Sequence, residues 1–251
     1  MGKLKILVIG DSCMDTFIYC NIDRLCPEAP VPILQPINKV SNFGMAGNVA
    51  ENLKSLGAEV ELITNETHIH KTRYVDNKSG QMIMRFDEND MCTPIQTLGY
   101  VLDIISNPKN EVSDYDAIVV SDYCKGFIQI SDIELIAKHA KCPLFLDTKK
   151  LLGDWCRTVD FIKINKPEMD SNSHYMGDNI IVTDGENGAT YKGDHYDVNT
   201  HISISNVSGA GDTFLAGLVF SYIKTSDMPT AIIFANECAS KVVQYRGVTV
   251  I

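Results

Sequence analysis

The chain has 251 residues, of which 45% are apolar and 22% charged, and this is enough apolar material for one large hydrophobic core. The composition excludes a disordered chain, which would have fewer apolar residues, and a collagen-like chain, which would have far more than the 17 glycines present. Acidic residues outnumber basic ones by 32 to 22, and a net charge of −10 has the wrong sign for a protein that covers nucleic acid phosphates. We therefore expect one domain over residues 1–251 and no nucleic-acid partner.

The apolar stretches and the cysteines predict where the protein resides. No apolar stretch approaches the ~20 residues of a membrane-spanning helix, and the first residues lack the apolar core of a signal peptide. None of the eight cysteines forms a C-x-x-C pair, the spacing that zinc sites and thioredoxin-like redox sites use. The sequence thus predicts a cytoplasmic protein with reduced thiols and no membrane partner.

The first predicted strand covers residues 5–10, a short β-branched apolar run that ends in Gly-Asp, as a buried parallel strand with a site at its carboxyl end would. Residues 20–36 contain four prolines, so this segment is extended or edge-strand chain and excludes a helix. A helix over residues 47–56, with a glycine directly after it, and a strand over residues 59–64 follow.

Two strand-like runs, residues 71–76 and 81–87, surround the turn sequence Asn-Lys-Ser-Gly and predict a β-hairpin. Their side chains alternate in character, and such a solvated hairpin does not fit a buried parallel sheet. We assign the hairpin and the proline-rich segment to a second, smaller sheet, made of residues of about 13–36 and 71–87.

The rest of the chain alternates between predicted strands and helices. The strands cover residues 117–121, 144–147, 161–164 and 179–183, the helices cover 131–141, 209–224 and 229–245, and a hairpin lies around residues 193–194. Alternation of this kind is typical of a parallel sheet that is covered by helices. The predicted fold class is therefore α/β, with a mostly parallel central sheet and a small additional sheet.

The nine residues Asn-Val-Ser-Gly-Ala-Gly-Asp-Thr-Phe at 206–214 are the strongest candidate for a catalytic site. Gly209, Ala210 and Gly211 place backbone N–H groups at a predicted helix start, where unsatisfied donors and the helix dipole favour an anion. Asp212 would repel a bound phosphate unless it takes a proton from a nearby hydroxyl, so it is a candidate general base facing a phosphoryl group. The alternative is an ordinary helix start with an acidic residue in its first turn.

Two further candidates follow predicted strands at the carboxyl edge of the sheet, where open α/β sheets bind ligands. Asn165 and Glu168 at a helix start would suit hydrated Mg²⁺, or they form an N-terminal capping box. Thr183 precedes a glycine turn with Gly185 and Gly188, which exposes amides to a nucleotide or is only a hairpin turn.

Polar residues near the N-terminus are candidates for binding a sugar. Asp11 and Asp15 follow the first strand, and Gly47 and Asn48 open the first long helix. Carboxylates and amides are the usual partners of sugar hydroxyls, because a hydroxyl needs both a donor and an acceptor. Asp11 is alternatively a simple turn residue.

Together these residues resemble the PfkB or ribokinase family of sugar kinases, over nearly the whole chain. Within that family the chain is similar to kinases that act on D-glycero-D-manno-heptose 7-phosphate. The segments that carry this similarity include Pro-Glu-Ala-Pro-Val-Pro at 27–32, Lys-Thr-Arg at 71–73, Ser-Asp-Tyr-Cys-Lys-Gly at 121–126 and Asp-Thr-Lys at 147–149. The resemblance implies a ribokinase-like three-layer α/β/α fold and phosphoryl transfer from ATP, with Mg²⁺, to the anomeric hydroxyl of that sugar phosphate. It also implies that the small sheet is a lid over the sugar, and that lids of two copies pair in a homodimer.

The resemblance also implies a role for each candidate residue. Asp212 is the catalytic base, and the amides of residues 209–211 form the anion hole. Mg²⁺ lies near Asn165 and Glu168, which bind it through water. The nucleotide contacts Thr183, Gly185, Gly188 and Asn236, and the sugar contacts Asp11, Asp15, Gly47 and Asn48.

The phosphate that the substrate already carries needs local positive charge, because the protein is acidic overall. The candidates for binding it are Arg73, Arg85, Lys125 and Lys149. Each of them is alternatively an ordinary surface charge.

Two residues depart from the family pattern. Met45 stands where relatives have the second glycine of a pair, and Asn206 stands where they have an aspartate near a monovalent-cation site. Two alternatives therefore stay open beside the heptose kinase. One is a kinase for another sugar or sugar phosphate, and the other is a non-catalytic relative that binds a sugar or a nucleotide.

Overall fold

The computed structural model describes residues 2–106, 114–198 and 206–251, which form two β-sheets and the helices around them. The strands are β1 (Lys5–Gly10), β2 (Ser12–Asn21), β3 (Gln35–Met45), β4 (Glu59–Thr64), β5 (Ile69–Asp76), β6 (Met82–Glu88), β7 (Ala117–Asp122), β8 (Leu144–Thr148), β9 (Phe161–Asn165), β10 (Ile180–Thr183), β11 (Ala189–Tyr191) and β12 (Asp194–Tyr196). The helices are α1 (Ala46–Ser55), α2 (Leu98–Ser106), α3 (Ile130–His139), α4 (Lys166–Ser171), α5 (Ala210–Thr225) and α6 (Met228–Val242). In these ranges no helix combines the length and the apolar character needed to cross a membrane.

An eight-stranded sheet forms the centre of the molecule, with the strand order β12-β11-β10-β9-β8-β7-β1-β4. Neighbours from β10 to β4 are parallel, whereas β11 and β12 are antiparallel at one edge. Strands β1, β7 and β8 are buried on both faces, which is why their sequences are continuous apolar runs. The predicted parallel sheet is confirmed, and its strands begin and end within one residue of the predicted bounds.

Helices cover both faces of this large sheet. On one face Ile6 and Val8 of β1 pack against α1, α5 and α6. On the other face Leu7 and Ile9 pack against α2 and α3. Successive residues of a strand point to opposite faces, so one short apolar run contributes to both cores. The three-layer α/β/α fold class is thereby confirmed.

The small sheet has the order β3-β2-β5-β6, in which β2 and β5 are parallel and the other neighbours antiparallel. The predicted hairpin is present as β5 and β6. The other predicted segment, residues 13–36, only partly matches the structure. β2 covers its first part, and β3 begins at its end and continues to Met45. The structure describes all of residues 22–34, which connect these two strands and contain three prolines. Proline lacks a backbone N–H donor, and the only β-bridge in this connection joins Leu25 and Pro32.

The two faces of the small sheet differ in chemistry. The inner face lies against Tyr123, just after β7, and carries Asp15, Lys71, Arg73, Arg85 and Asp87 on adjacent strands. The outer face carries exposed apolar side chains, among them Phe43, Met84 and Phe86. The charged side chains of the sheet thus lie on its inner face, beside buried apolar residues such as Phe17 and Val75, whereas the outer face exposes large apolar side chains.

Three chain crossings between the two sheets lie side by side. β1 passes into β2 at Asp11, β4 passes towards β5 at Asn65, and β3 passes into α1 at Met45. The Asn65 side chain accepts from the Ser12 amide at 2.7 Å and donates to the Ser12 carbonyl at 3.2 Å, which links the first two crossings. The Ala46 amide donates to the Asp11 carbonyl at 2.9 Å, which links the third crossing to the first.

Candidate active site

The carboxylate of Asp212 lies in the first turn of α5 and is almost completely buried. The Tyr123 hydroxyl donates to its Oδ1 at 2.6 Å, and the Asn48 side-chain amide donates to its Oδ2 at 3.1 Å. Burial raises the pKa of Asp212 to about 6, although both hydrogen bonds lower it. A carboxylate with that pKa is ionised at neutral pH and is still basic enough to accept a proton from a hydroxyl.

The N-terminus of α5 offers backbone donors beside this carboxylate. Gly209 has φ 80°, a left-handed conformation that favours glycine, and a Cβ there would lie 2.7 Å from Asn48 Nδ2. The Ala210 amide already donates to the Val207 carbonyl at 3.2 Å. The Gly211 amide, in the first turn, has no intrahelical acceptor and is therefore available to an anion.

A buried ion pair lies next to the same helix start. Lys163 of β9 and Asp147 of β8 pair at 2.7 Å, and their side chains are only 4% and 1% exposed. A Cβ on Gly211 would lie 3.1 Å from Lys163 Nζ, so the ammonium is close to the available amide. Burial acts to raise the pKa of Asp147, but Lys163 and Lys149 outweigh it and hold that pKa below its usual value. Lys163 thus adds positive charge where a phosphoryl group would bind.

Asn165 and Glu168 form a reciprocal capping box at the start of α4. Asn165 Oδ1 accepts from the Glu168 amide at 2.8 Å, and Glu168 Oε2 accepts from the Asn165 amide at 2.8 Å. The other Glu168 oxygen is ion-paired with Lys149. The capping box, which was the alternative to a Mg²⁺ site in the sequence analysis, is therefore present. It holds both side chains at the carboxyl ends of β9 and β10.

These two side chains fit Mg²⁺ through its waters. Mg²⁺ keeps several waters and takes few protein ligands, and both Glu168 oxygens are already held, one by a backbone amide and one by Lys149. A metal-bound water can still donate to the remaining lone pairs of that carboxylate. Within the described ranges no three His, Cys, Asp or Glu side chains come together as a metal-binding group.

A cavity of about 820 Å³ extends from Tyr123 along the ends of β9 and β10 to α6, and its volume suits a nucleotide. The four residues predicted to contact the nucleotide all line it: Thr183, Gly185, Gly188 and Asn236. Gly188 has φ 87°, and a Cβ there would lie 2.1 Å from the Tyr196 carbonyl oxygen, so this turn requires glycine. Asn236 donates to the same Tyr196 carbonyl at 3.0 Å.

The residues predicted to contact the sugar lie around the start of α1. Asn48 hydrogen-bonds the Asp212 carboxylate directly, and Gly47 precedes Asn48 in the helix. Asp15 of β2 is ion-paired with Arg73. The chain at Gly44 approaches Asp15 so closely that a Cβ would lie 2.2 Å from its Oδ2.

Asp11 has a different environment, because its carboxylate is bound by backbone amides. Oδ2 accepts from the Tyr123 amide at 2.7 Å and the Lys125 amide at 3.4 Å, and Oδ1 accepts from the Phe127 amide at 3.2 Å. Burial raises the pKa of Asp11 above its usual value, against these three bonds. Asp11 therefore anchors the loop that carries Tyr123.

The four cations predicted to bind the substrate phosphate are each paired with a carboxylate. Arg73 pairs with Asp15, Arg85 with Asp87 through bonds of 2.7 and 2.6 Å, Lys125 with Asp90 at 2.6 Å, and Lys149 with Glu168. The structure brings the two arginines together on the inner face of the small sheet and places Lys149 at the cavity.

Comparison with known proteins decides the family. Residues 63–251 match the model of the pfkB family of carbohydrate kinases. The chain belongs to this family. Kinases of the pfkB family are phosphotransferases with an alcohol group as acceptor, and they use ATP and a divalent cation. The family resemblance of the sequence is therefore confirmed.

Curated relatives are bifunctional proteins. The bifunctional protein HldE of a Nitratiruptor species is 27% identical over 293 residues, which cover 98% of this chain and 62% of the relative. HldE of Helicobacter acinonychis (strain Sheeba) is 29% identical over 298 residues, which cover 97% of this chain and 63% of the relative. The chain thus spans a little over three fifths of the length of these relatives.

Solved structures of kinases share the fold. Phosphofructokinase-2 from Escherichia coli in complex with potassium has a TM-score of 0.71 at 14% identity, covering 99% of this chain and 94% of that chain. The nucleoside kinase of Methanocaldococcus jannaschii, an archaeal member of the ribokinase family, has a TM-score of 0.68 at 18% identity, covering 99% and 94%. At these identities the likeness establishes the ribokinase-like fold.

Two residues of this pfkB-family site are not among those that the sequence predicted. Lys163 interrupts the apolar run Phe-Ile-Lys-Ile at 161–164, and a charge inside a predicted buried strand is a signal for a paired or functional group. Tyr123 gives no such signal, because its partner Asp212 lies 89 positions away in the chain.

Proposed function

We propose that this chain is an ATP-dependent kinase for the anomeric hydroxyl of D-glycero-D-manno-heptose 7-phosphate, with residues 1–251 as one kinase domain. The observation that carries the kinase reaction is the buried Asp212 carboxylate, which lies beside the available Gly211 amide. The choice of a heptose phosphate is supported by the HldE relatives, which match 97–98% of this chain.

In the proposed reaction the acceptor hydroxyl lies against Asp212, which takes its proton as the oxygen attacks the γ-phosphorus of ATP. The new P–O bond forms in line with the bond to the β-phosphate oxygen, which breaks and releases ADP. The Gly211 amide and the Lys163 ammonium stabilise the charge on the transferred group. Mg²⁺, when bound, neutralises charge on the phosphates, and Asn165 and Glu168 would hold it through its waters.

The ligand contacts follow from the same proposal. The nucleotide would lie in the 820 Å³ cavity, against Thr183, Gly185, Gly188 and Asn236. The sugar would lie between the large sheet and the inner face of the small sheet, with contacts to Asp11, Asp15, Gly47 and Asn48. Its phosphate would be bound by Arg73, Arg85, Lys125 and Lys149, and a monovalent cation would lie near Asn206.

The small sheet is proposed to serve as a lid and as a dimer interface. Its inner face carries the charges that a sugar phosphate requires, and its outer face exposes Phe43, Met84 and Phe86. Several large apolar side chains on one exposed face favour association with another protein surface, here a second copy of the chain. The reaction is proposed to take place in the cytoplasm, where the eight cysteines stay reduced.

The experiment is phosphoryl transfer from ATP and Mg²⁺ to purified D-glycero-D-manno-heptose 7-phosphate, followed by mass spectrometry. We expect a heptose bisphosphate from the parent protein, and a rate at least ~1000-fold lower from Asp212→Asn with little change in ATP affinity. Asp194→Asn, at an exposed hairpin turn, is the matched control and should retain full activity.

Each other outcome identifies a different alternative. A product formed only with another sugar in an acceptor panel would retain the kinase and reject the heptose. Thermal stabilisation by ATP and sugar without any product would favour a non-catalytic binder. Equal turnover in the parent and Asp212→Asn would exclude Asp212 as the base.

A further inference from the structure

Lys71 of β5 is a buried cation on the inner face of the small sheet, and it is only 7% exposed. Its Nζ lies 3.3 Å from Met45 Sδ and 5.7 Å from the centre of the Tyr123 ring. In the part of the chain that the structure describes, it forms no ion pair with a carboxylate. A buried ammonium that is not ion-paired with a carboxylate is costly unless a ligand supplies more negative charge.

The two carboxylates nearest to this ammonium are already paired with other cations. The strand register places Lys71 between Asp15 and Asp87. Asp15 is already paired with Arg73, and Asp87 accepts two bonds from Arg85, at 2.7 and 2.6 Å. Three cations and two carboxylates on one face leave a surplus positive charge, which is suited to one more anion.

Lys71 is also close to the place of reaction. The face of the Tyr123 ring lies towards the ammonium, and the hydroxyl of the same ring donates to Asp212 at 2.6 Å. About one tyrosine side chain therefore separates the ammonium from the base. A sugar phosphate with its reacting hydroxyl and its phosphate at opposite ends spans a comparable length.

We propose that the Lys71 ammonium binds the phosphate that the sugar substrate carries before the reaction, and thereby selects phosphorylated over unphosphorylated sugars. This inference rests on the proposed sugar-kinase function and deepens it. Lys71 supplies the uncompensated charge, and Met45, whose thioether contacts it, positions the ammonium. The paired arginines beside it add donors but no net charge.

The test is isothermal titration calorimetry on the full chain with D-glycero-D-manno-heptose 7-phosphate, the same heptose without its phosphate, and inorganic phosphate. Lys71→Met keeps the side-chain length and removes the charge. We expect it to weaken binding of the sugar phosphate by about 10- to 100-fold and to change binding of the unphosphorylated heptose by less than ~3-fold. The apo variant should unfold at the same temperature as the parent or at a higher one, because an uncompensated buried charge is removed.

Two further variants are matched to this change. Lys78→Met removes an exposed lysine at the turn of the same hairpin and should leave all three affinities unchanged. Lys71→Arg retains the charge and should retain most of the preference for the phosphorylated sugar. Lys71→Gln, which also removes the charge, replaces Lys71→Met if the latter does not fold.

The proposal is overturned if both uncharged variants keep the parent's preference for the phosphorylated heptose, or if the parent binds both heptoses equally. It is also overturned if Lys71→Met unfolds at a lower temperature and loses ATP and sugar affinity alike, which is the signature of a purely structural lysine. Absence of turnover with every sugar would reject the proposed function alone. Binding of the sugar phosphate or inorganic phosphate that depends on Lys71 would then still support the anion site.

Discussion

At the scale of single residues, Asp212 meets two opposed requirements. Burial raises its proton affinity, which a base needs, while hydrogen bonds from Tyr123 and Asn48 keep it ionised. The balance gives a pKa of about 6, so activity that depends on the ionised form should rise with pH across that value.

Tyr123→Phe tests this balance. It removes a donor that stabilises the ionised carboxylate, so the pKa on the acidic limb of kcat/KM should rise from about 6 towards about 7. The rate at neutral pH should fall by about twofold, because roughly half of the carboxyl groups would then be protonated. The measurement is a pH–rate profile, with Tyr100→Phe as the control because that exposed tyrosine hydrogen-bonds only Glu61 among the described side chains. An unchanged acidic limb would show that Tyr123 does not act on the base.

The sequence predicts the residues of this site that belong to short motifs. Asp212, Asn165 and Glu168 stand beside the glycines or capping partners that define their chemistry. Tyr123 and Lys71 owe their roles to contacts between distant elements, which no local spacing encodes. Their contacts depend on the way the two sheets face each other.

At the scale of elements, the start of α1 carries backbone strain at Met45. Its φ of 62° and ψ of −134° lie in a region that favours glycine. Its side chain is nevertheless buried and contacts Lys71. The residue at this strained position is therefore in contact with the buried lysine.

Comparing Met45→Gly with Met45→Ala separates the effect of backbone strain on stability from the effect of losing the methionine side chain. Both lose the buried thioether, but only alanine keeps a Cβ at positive φ, so Met45→Gly should unfold at a temperature higher by roughly 2–4 °C. Thermal unfolding followed by circular dichroism measures the difference. The control is Ala50→Gly in the interior of α1, where alanine should be more stabilising than glycine. This variant should unfold at a lower temperature than the parent. A lower unfolding temperature for Met45→Gly than for Met45→Ala would contradict the strain.

The elements that the sequence predicts well are those with a strong local pattern. Continuous apolar runs correctly predicted the parallel strands. The turn sequence Asn-Lys-Ser-Gly correctly predicted the hairpin that β5 and β6 form. The predicted lid segment ended at residue 36, so most of β3 was not predicted. Its residues are mostly exposed and polar, and pairing with β2 holds the strand in place. Helix α2 is not among the elements predicted from the sequence. Its apolar face packs on a core whose other residues are distant in the sequence.

At the scale of the whole molecule, the buried Asp212 carboxylate has a cost in stability. An aspartate titrates near 3.8 in the unfolded chain and near 6 in the folded one, so between these values the folded state holds more protons. The free energy of unfolding therefore decreases as pH rises through this window and stays reduced above it. We therefore expect activity and stability to respond to the charge of Asp212 in opposite directions.

Asp212→Asn removes this cost. At pH 7.5 the variant should unfold at a temperature about 2–6 °C above that of the parent, and the gain should disappear below about pH 4, where the parent's carboxyl is protonated. Calorimetry at the two pH values measures it. A gain of equal size at both pH values would show that the effect does not come from ionisation.

The proposed dimer is tested on the outer face of the small sheet. Phe86→Glu places a charge among exposed apolar side chains, and it should convert a dimer into a monomer in light-scattering measurements. Lys138→Glu, on the exposed side of α3, should leave the mass unchanged. A parent protein that is already monomeric at the highest concentration would contradict the interface.

The three neighbouring crossings between the sheets have a mechanical consequence. Asp11, Asn65 and Met45 are hydrogen-bonded into one short line, through Ser12 and Ala46, and the small sheet is attached along it. The small sheet is also attached to the C-terminal segment, where Asn42 donates to the Val248 carbonyl at 2.6 Å. Its four strands are hydrogen-bonded to one another, so we expect the sheet to turn as one rigid unit. Any tilt of the charged face towards the nucleotide thus turns the apolar face by the same angle, so the fold couples what happens at one surface of the sheet to the orientation of the other.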